Sequence, residues 1–449
     1  MTDGLKVIKP EPATAALHEV DTEVGSVFVS NYPPYSFWNQ EDLKKAQDAL
    51  NSKPNPATPI GLYLHIPFCR KRCKFCYFRV YTDKNSEEIQ QYLDVLAREI
   101  KLYSELPSVQ GRKLKFVYFG GGTPSFIKSA HLRELAQRVQ QSIPWKGAEE
   151  ITLECEPGTL TQIKLEAMKQ IGVTRLSLGI ENFDDMILRE NGRAHVSKEI
   201  YQVLPWIQKL EFDQLNIDLI AGMIGETWDT WRDTVQKTID ISPDSVTIYQ
   251  MELPFNTVYS KDYMHGRLNV PIANWQLKRE WHEYAFDQLA SAGYEISSGY
   301  TMIKKGSNAR FVYRDSVWHG CDMLGTGVAS FGHMQGVHIQ NVDSWDSYIE
   351  KLKSNQLPLS RAFSTNANER LTREMILQLK LGTIEVSYFQ DKFGKNILEK
   401  FSDAFRKLEN EGMLRVYDDR VELTHQGFLR VDHLLPEFYQ NKYRNSRYT

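Results

Sequence analysis

The chain has 449 residues, 41% of them hydrophobic and 25% charged, and 54 Lys and Arg against 57 Asp and Glu leave a formal charge of -3. That composition fits a globular protein of roughly two to three domains and excludes a disordered chain. The near balance of charge excludes a global field for a polyanion such as nucleic acid.

Residues 1–58 read as an irregular, Pro-rich N-terminal arm. Its start, MTDGLKVIKPEPATAALHEV, lacks the basic and apolar run of a secretory leader, and nowhere does the chain approach the ~18 uninterrupted apolar residues of a membrane span. The one aromatic cluster of the arm is NYPPYSFW, Asn31 to Trp38; a short helix is expected after it, and the arm is expected to pack on the domain that follows. From Ile60 the pattern changes to six short runs, IGLYLHI, LKFVYFG, EITLEC, VTRLSLGI, LNIDLIAG and DSVTIYQMEL. Each is nearly all apolar, as strands buried on both faces are. Amphipathic stretches separate them, and between the first two Ile89, Tyr92, Leu93, Leu96 and Ile100 fall on one helical face. The pattern predicts an α/β fold with six parallel units over residues 59–300, its ligand residues at the carboxyl ends of the strands.

Directly after the first run, Cys69, Cys73 and Cys76 stand at CxxxCxxC spacing in LYLHIPFCRKRCKFCYF. Three thiolates from one short loop can hold three irons of a 4Fe-4S cube and leave the fourth open to a ligand. A zinc loop would want a fourth Cys or His at matching spacing, and neither follows closely. Cys155 and Cys321 lack ligand spacing and read as buried structural thiols. This cysteine usage suits a reducing cytoplasm better than a disulfide framework. The second run ends in FGGGTPS, Phe119 to Ser125, where glycines at 120–122 would let backbone amides approach a ligand. Thr123 would cap the next helix and Pro124 would suit its first turn.

The cysteine loop, with Phe75 before the third cysteine, resembles the signature of the radical S-adenosylmethionine (SAM) superfamily. LYLHIPFC, FGGGTPS, LECEPGT, RLSLGIENF, NGRAH and NIDLIAG resemble, in order and spacing, its oxygen-independent coproporphyrinogen III oxidase group, which also holds haem chaperones and class C radical SAM methyltransferases. The resemblance implies a partial (β/α)6 barrel and a 4Fe-4S cluster on Cys69, Cys73 and Cys76. It further implies SAM chelated at the open iron and cleaved to a 5'-deoxyadenosyl radical, and a flavodoxin- or ferredoxin-type electron donor. Matched residue by residue, it puts Gly121, Gly122 and Thr123 at the methionine end of SAM, Tyr63, Glu154, Arg193 and Asp218 along the SAM sites, and Met251 near the adenine. Some relatives bind a second SAM. Where the oxidase has a Gln this chain has Glu181, which cannot donate amide hydrogen bonds but can pair with a sulfonium or a cationic substrate.

Farther on, SAGYEISSGY and CDMLGTGVASF resemble the group's YEIS and DxLGxGxGA elements, so residues 301–365 are expected to cover the barrel mouth. From 366 to 449 the order helix, helix, helix, hairpin resembles a winged helix. Residues 401–449 hold eight Lys and Arg against eight Asp and Glu, which points to a lid or partner surface rather than a nucleic-acid binder.

Two departures bear on the reaction. The oxidase's further Cys is Phe78 here, and the chaperones' HNxxYW element becomes Arg310-Phe311-Val312-Tyr313-Arg314, without its His and Asn. The expected activity is therefore class C-type chemistry, in which one SAM yields the radical and a second gives a methyl or one-carbon unit to an sp2 carbon of a conjugated small molecule. The alternatives are a coproporphyrinogen III oxidase-like tetrapyrrole enzyme and a haem chaperone-like binding protein. Tyr313, Trp318, His319, His333 and His338 are candidates for the substrate chamber, and Glu181 and His319 for the catalytic base.

Overall fold

The computed structural model describes residues 21–268, 270–444 and 446. The leader reading of the first twenty residues falls outside this range. Strands β1 (Ile60–Ile66), β2 (Leu114–Gly121), β3 (Glu150–Cys155), β4 (Arg175–Glu181), β5 (Gln214–Ala221) and β6 (Ser245–Gln250) coincide with the six apolar runs. They pair in that order, all parallel. Helices Ser86–Ser104, Ser129–Ser142, Gln162–Gln170, Ser197–Leu210 and Trp228–Ile241 provide the crossovers.

The first crossover shows how local sequence sets these helices. Asn85 accepts from the Glu87 and Glu88 amides while the Glu88 carboxylate returns to the Asn85 amide, a reciprocal cap that fixes the start. Ile89, Tyr92, Leu93, Leu96 and Ile100 all lie on its buried face. Each fully buried side chain of this kind stabilises by about 1.5–3 kcal/mol.

The sheet continues past both edges of the six-stranded unit. Strands β7 (Tyr294–Ser298), β8 (Thr301–Lys304), β9 (Asp322–Thr326), β10 (Phe331–Met334), β11 (Val337–Asn341) and β12 (Leu359–Ser364) complete one twelve-stranded sheet. Its order is β12-β11-β10-β9-β1-β2-β3-β4-β5-β6-β8-β7. β9 runs parallel to β1, and the outer strands are antiparallel. Residues 322–364 thus extend the β1 edge of the barrel sheet rather than lying across its mouth.

The arm packs on the C-terminal domain and on the end of β6. That domain contains helices Ala367–Leu379, Val386–Phe393 and Ser402–Asn410. Its three-stranded sheet comprises β13 (Thr383–Glu385), β14 (Leu414–Val416) and β15 (Arg420–Leu423). The arm reaches it from the far end of the chain: Val29 and Tyr32 are buried in its core, and the Tyr32 ring lies 5.0 Å from Tyr439 and 5.3 Å from Tyr443. The buried Lys380 ammonium is 2.7 Å from Asp432, and Asp432 also accepts the Val29 amide at 2.9 Å. Nearer the barrel, the Glu252 carboxylate after β6 accepts from the Ser26 hydroxyl and the Val27 and Phe28 amides. The expected helix after the aromatic cluster is Leu43–Asn51, whose Ala49 carbonyl accepts from Gln335 between β10 and β11.

Candidate functional site

The cysteine loop leaves the carboxyl end of β1 and is tied at its neck, where the Tyr81 amide donates to the Pro67 carbonyl at 2.7 Å and the Cys69 amide to the Tyr81 carbonyl at 3.1 Å. Cys69, Cys73 and Cys76 are half-buried free thiols. Burial pushes the Cys69 thiol up to about 11 and the Cys76 thiol up to about 12. The Thr123 hydroxyl, expected to cap a helix, donates instead to Cys69 Sγ at 3.3 Å, and no side-chain cap precedes the turn Pro124–Phe126. Arg193 Nη1 donates to Cys73 Sγ at 3.4 Å. Among the described residues no three ligand side chains converge on one point as a single metal ion requires. A donor set of three thiols, each reaching a separate iron, is the arrangement a 4Fe-4S cube takes, and it does not require that convergence.

The glycine run has a packing reason that spacing did not disclose. At Gly121, with φ +114°, a Cβ would sit 2.5 Å from the His65 ring, and at Gly122 it would sit 2.9 Å from the Pro67 carbonyl carbon. Their amides already have acceptors: Gly121 N donates to Glu154 at 3.1 Å and Gly122 N to the Ile66 carbonyl at 2.9 Å. His65 itself is buried, and burial holds its pKa down to about 4.

Inside the barrel the strands are not apolar on both faces. Alternate positions carry Tyr63 and His65, Thr152 and Glu154, Ser177, Asn216 and Asp218, Thr247 and Tyr249, a period of two that points polar side chains into the chamber. Three of these side chains form a pad: Ser177 Oγ donates to Asp218 at 2.8 Å, and Asn216 donates to Asp218 and to Ser177, each at 3.0 Å. Glu154 accepts from the Tyr118 hydroxyl at 2.8 Å. Glu181 ends β4 with φ +66°, a left-handed conformation costly for a non-glycine residue, and the β4–β5 register shifts there. That bend brings its carboxylate to 3.5 Å from Arg193, whose Nη2 also donates to the Gly179 carbonyl at 2.7 Å. Burial, with the neighbouring carboxylates adding to it, pushes Glu154 and Glu181 up to about 7; burial likewise pushes Asp218 up to about 6.

Tyr63, Tyr118 and Tyr313 make an aromatic wall beside this acidic trio. Tyr63 and Tyr118 are register partners with rings 5.9 Å apart, and Tyr313 lies 4.3 Å from Tyr118. Glu150, paired with Arg175 at 3.2 Å, accepts the Val312 and Tyr313 amides and so fixes Tyr313 there. Phe75 and Met251 share an apolar cluster with Met223 and Ile224.

Four other expected chamber residues are elsewhere. His319 follows helix Val312–Trp318, with Nδ1 on the Asp315 carbonyl at 2.7 Å and its own carbonyl accepting from Lys392, so the two base candidates, Glu181 and His319, are not brought together. Trp318 packs against the C-terminal domain. His333 and His338 pair at 2.9 Å beneath the arm, where His338 is 5.0 Å from Trp38 and bonds the Tyr32 carbonyl. Burial holds both histidines neutral, with His338 down to about 3. Sequence reasoning missed Tyr118, Ser177, Asn216 and Tyr249, although their alternation with apolar residues was a readable signal. It also missed Glu156, which joins His195 at 2.8 Å and Arg70 at 3.2 Å beside the loop.

A parallel α/β barrel with three thiols after its first strand defines a radical SAM protein. Residues 63–238 match the Radical SAM superfamily and residues 366–430 the HemN C-terminal domain, so the chain carries a radical SAM enzyme domain, the kind that works with a 4Fe-4S cluster and SAM, followed by a HemN-type C-terminal domain. It is 26% identical to an oxygen-independent coproporphyrinogen III oxidase of Synechocystis sp., over 94% of each chain. It is also 26% identical to a heme chaperone HemW of Bacillus subtilis, over 82% of this chain and 96% of that one. The solved structure of the Escherichia coli coproporphyrinogen III oxidase HemN shares the fold, with a TM-score of 0.80 at 20% identity over 92% of this chain and 96% of that one. Among the described residues no helix is long and apolar enough to cross a membrane.

Proposed function

We propose that this enzyme transfers a methyl or one-carbon unit to an sp2 carbon of a conjugated small molecule, using a second SAM held in the acidic chamber. The observation that carries this reading is Glu181, a carboxylate aimed by a strained backbone at the space it shares with Glu154 and Asp218. SAM carries a sulfonium and an ammonium, and a chamber with three carboxylates suits cations. It suits a substrate with several carboxylates poorly, because like charges add to the burial penalty.

Cys69, Cys73 and Cys76 would hold the cluster, with Thr123 and Arg193 donating to two of the sulfurs. The bound cluster supplies the electron that cleaves SAM to its deoxyadenosyl radical. Glu154 and Asp218 bind cationic groups of SAM, and Met251 with Phe75 offers an apolar surface for the adenine. Tyr63, Tyr118 and Tyr313 orient a flat substrate by stacking and exclude water from it. Glu181 pairs with the second sulfonium and, near neutrality, can hold or release a proton.

The test is anaerobic. Reconstituted protein is given SAM, dithionite and cell extract, and 5'-deoxyadenosine, S-adenosylhomocysteine and methylthioadenosine are quantified against Cys73→Ala. A second SAM-derived product beside deoxyadenosine supports transfer; deoxyadenosine with no second product from any conjugated substrate rejects it. The full-length similarity to the Synechocystis oxidase favours a second reading, oxidative decarboxylation of a coproporphyrinogen-like tetrapyrrole. Carbon dioxide release from coproporphyrinogen III under strict anoxia would support that reading, and its absence from active enzyme would end it.

A further inference from the structure

Helix Trp275–Ser291 packs against β5 and β6 and meets the C-terminal segment that carries helices His425–Phe428 and Val431–Leu434. Two contacts align them. The His433 ring stands edge-on to Trp275 with centroids 4.8 Å apart, and two turns along the helix Glu283 meets His425 Nε2 at 2.6 Å. Positions 275, 279 and 283 share one helical face, so Arg279 sits between these contacts, and on the other segment Arg430 lies between His425 and His433. The alignment brings two guanidiniums together. Arg279 also lies 5.9 Å from the Trp275 ring, and the buried Lys278 ammonium lies 4.3 Å from it while donating to the Met251 carbonyl and the Thr22 hydroxyl.

The carboxylates around this junction are engaged elsewhere. Glu283 is held by His425, Glu280 accepts from Gln276, Asp432 pairs with Lys380, and Glu252 accepts from the arm. Among the described residues neither Arg279 nor Arg430 makes an ion pair, and Arg279 Nε is buried without a hydrogen-bond partner. Burial, with the Arg430 charge adding to it, lowers Arg279 to about 10. Desolvation at the junction and the Arg279 charge hold His433 down to about 4, which leaves a neutral ring with one N–H to donate. Like charges set together without a counter-charge destabilise a junction, and a bound anion would reverse that.

We infer that the junction of helix Trp275–Ser291 with residues 425–434 binds a phosphate-type oxyanion, held by Arg279 and Arg430 with His433 donating at its edge. Two guanidiniums match a doubly charged tetrahedral group better than a single carboxylate. Inorganic phosphate and a phosphate monoester share this chemistry. The bound group would tie the C-terminal domain to the barrel helix whose Lys278 holds the Met251 carbonyl. The site stands whatever reaction the chamber performs.

The full chain with reconstituted cluster is titrated anaerobically with inorganic phosphate and, separately, with phenyl phosphate, at constant ionic strength balanced by chloride, following binding heat and melting temperature. The wild type should bind one phosphate per chain saturably, and its melting temperature should rise with phosphate. Arg279→Gln and Arg430→Gln should each weaken binding about tenfold or more, and Arg430→Lys should restore part of the loss. In chloride alone Arg430→Gln should melt no lower than the wild type, because it removes a repelling charge. An arginine kept for packing would do the opposite, lowering the melting temperature and leaving the phosphate effect intact, and that result would overturn the site. Tighter binding of phenyl phosphate would make the ligand an ester and tighter binding of inorganic phosphate a free ion, and either supports the site. No saturable binding of either probe by the wild type, or equal affinities in the wild type and both Gln variants, would also overturn it.

Discussion

Replacing Glu181 by Gln removes one negative charge without changing shape, and the left-handed backbone at φ +66° is equally strained for either residue. The comparison therefore isolates charge. A charge-assisted contact is worth about 1.5–3 kcal/mol, so a SAM molecule paired with Glu181 should bind about tenfold to a hundredfold more weakly in E181Q. The pH dependence adds a second signature. A protonated carboxyl cannot pair with a cation, and Glu154, Glu181 and Asp218 are pushed up to about 7, 7 and 6, so SAM affinity should rise with pH between about 6 and 7 in the wild type. Removing one charge makes the remaining two easier to ionise, so the midpoint in E181Q should move to lower pH; the trio titrates as a set, and apparent values belong to it jointly. Anaerobic equilibrium dialysis of reconstituted protein at pH 5.5 to 8 would count the bound SAM and give the affinities. Identical stoichiometry, affinity and midpoint in the two proteins would refute the role assigned to Glu181.

Other parts of the molecule make separate predictions. Glu99 lies fully buried among Tyr348, Gly327 and Asn341, and burial pushes it up to about 7 from 4.5. The folded state then binds a proton that the unfolded state has released, so this group's contribution should be full below pH ~4.5 and fall by on the order of 3 kcal/mol as pH rises through 7; denaturant midpoints at pH 5 and 8, compared with Glu99→Gln, measure it. Gly122→Ala should lower both the melting temperature and cluster content, because its Cβ would meet Pro67 and Ile66 backbone atoms at 2.9 and 3.0 Å, and wild-type iron content would contradict this. Asp432→Ala leaves the buried Lys380 ammonium without its carboxylate and should cost about 3–5 kcal/mol, with faster proteolysis of the arm around Val29. Haem titration should give no saturable Soret shift through His333 or His338, whose Nδ1 atoms face each other under the arm.

The six strands and their crossovers were legible because burial on a sheet imposes short β-branched runs and a helix against it imposes a single apolar stripe, as at Ile89 to Ile100. The cysteine loop was legible because a cluster site built from one segment leaves its ligands close together in sequence. What escaped was everything set by contacts distant along the chain. The pairing of residues 322–364 with β1 depends on which edge is free, and no local period encodes that choice. His333 and His338 resemble chamber residues until the arm, some 300 positions earlier, is seen to lie over them. The interior polar positions are a different case: their alternation was present in every run but was hidden by treating each strand as apolar throughout.

Gly179 joins these two levels. A Cβ there would stand 3.0 Å from the Glu181 carboxylate and 3.4 Å from Arg193 Nη2, so a side chain at that position would press on both members of the ion pair. Arg193 in turn reaches Cys73, and through it the charge of Glu181 is coupled to the loop that would hold the cluster. Gly179→Ala should therefore separate two properties that a purely structural glycine would not. The fold, carried by the apolar positions of β4, should persist with a wild-type circular dichroism spectrum. The reduction potential of the reconstituted cluster should fall, because a displaced guanidinium no longer stabilises the more negative reduced state. An unchanged potential in a folded, fully loaded variant would mean that Arg193 does not act on the cluster, and that its contact with Cys73 is packing alone.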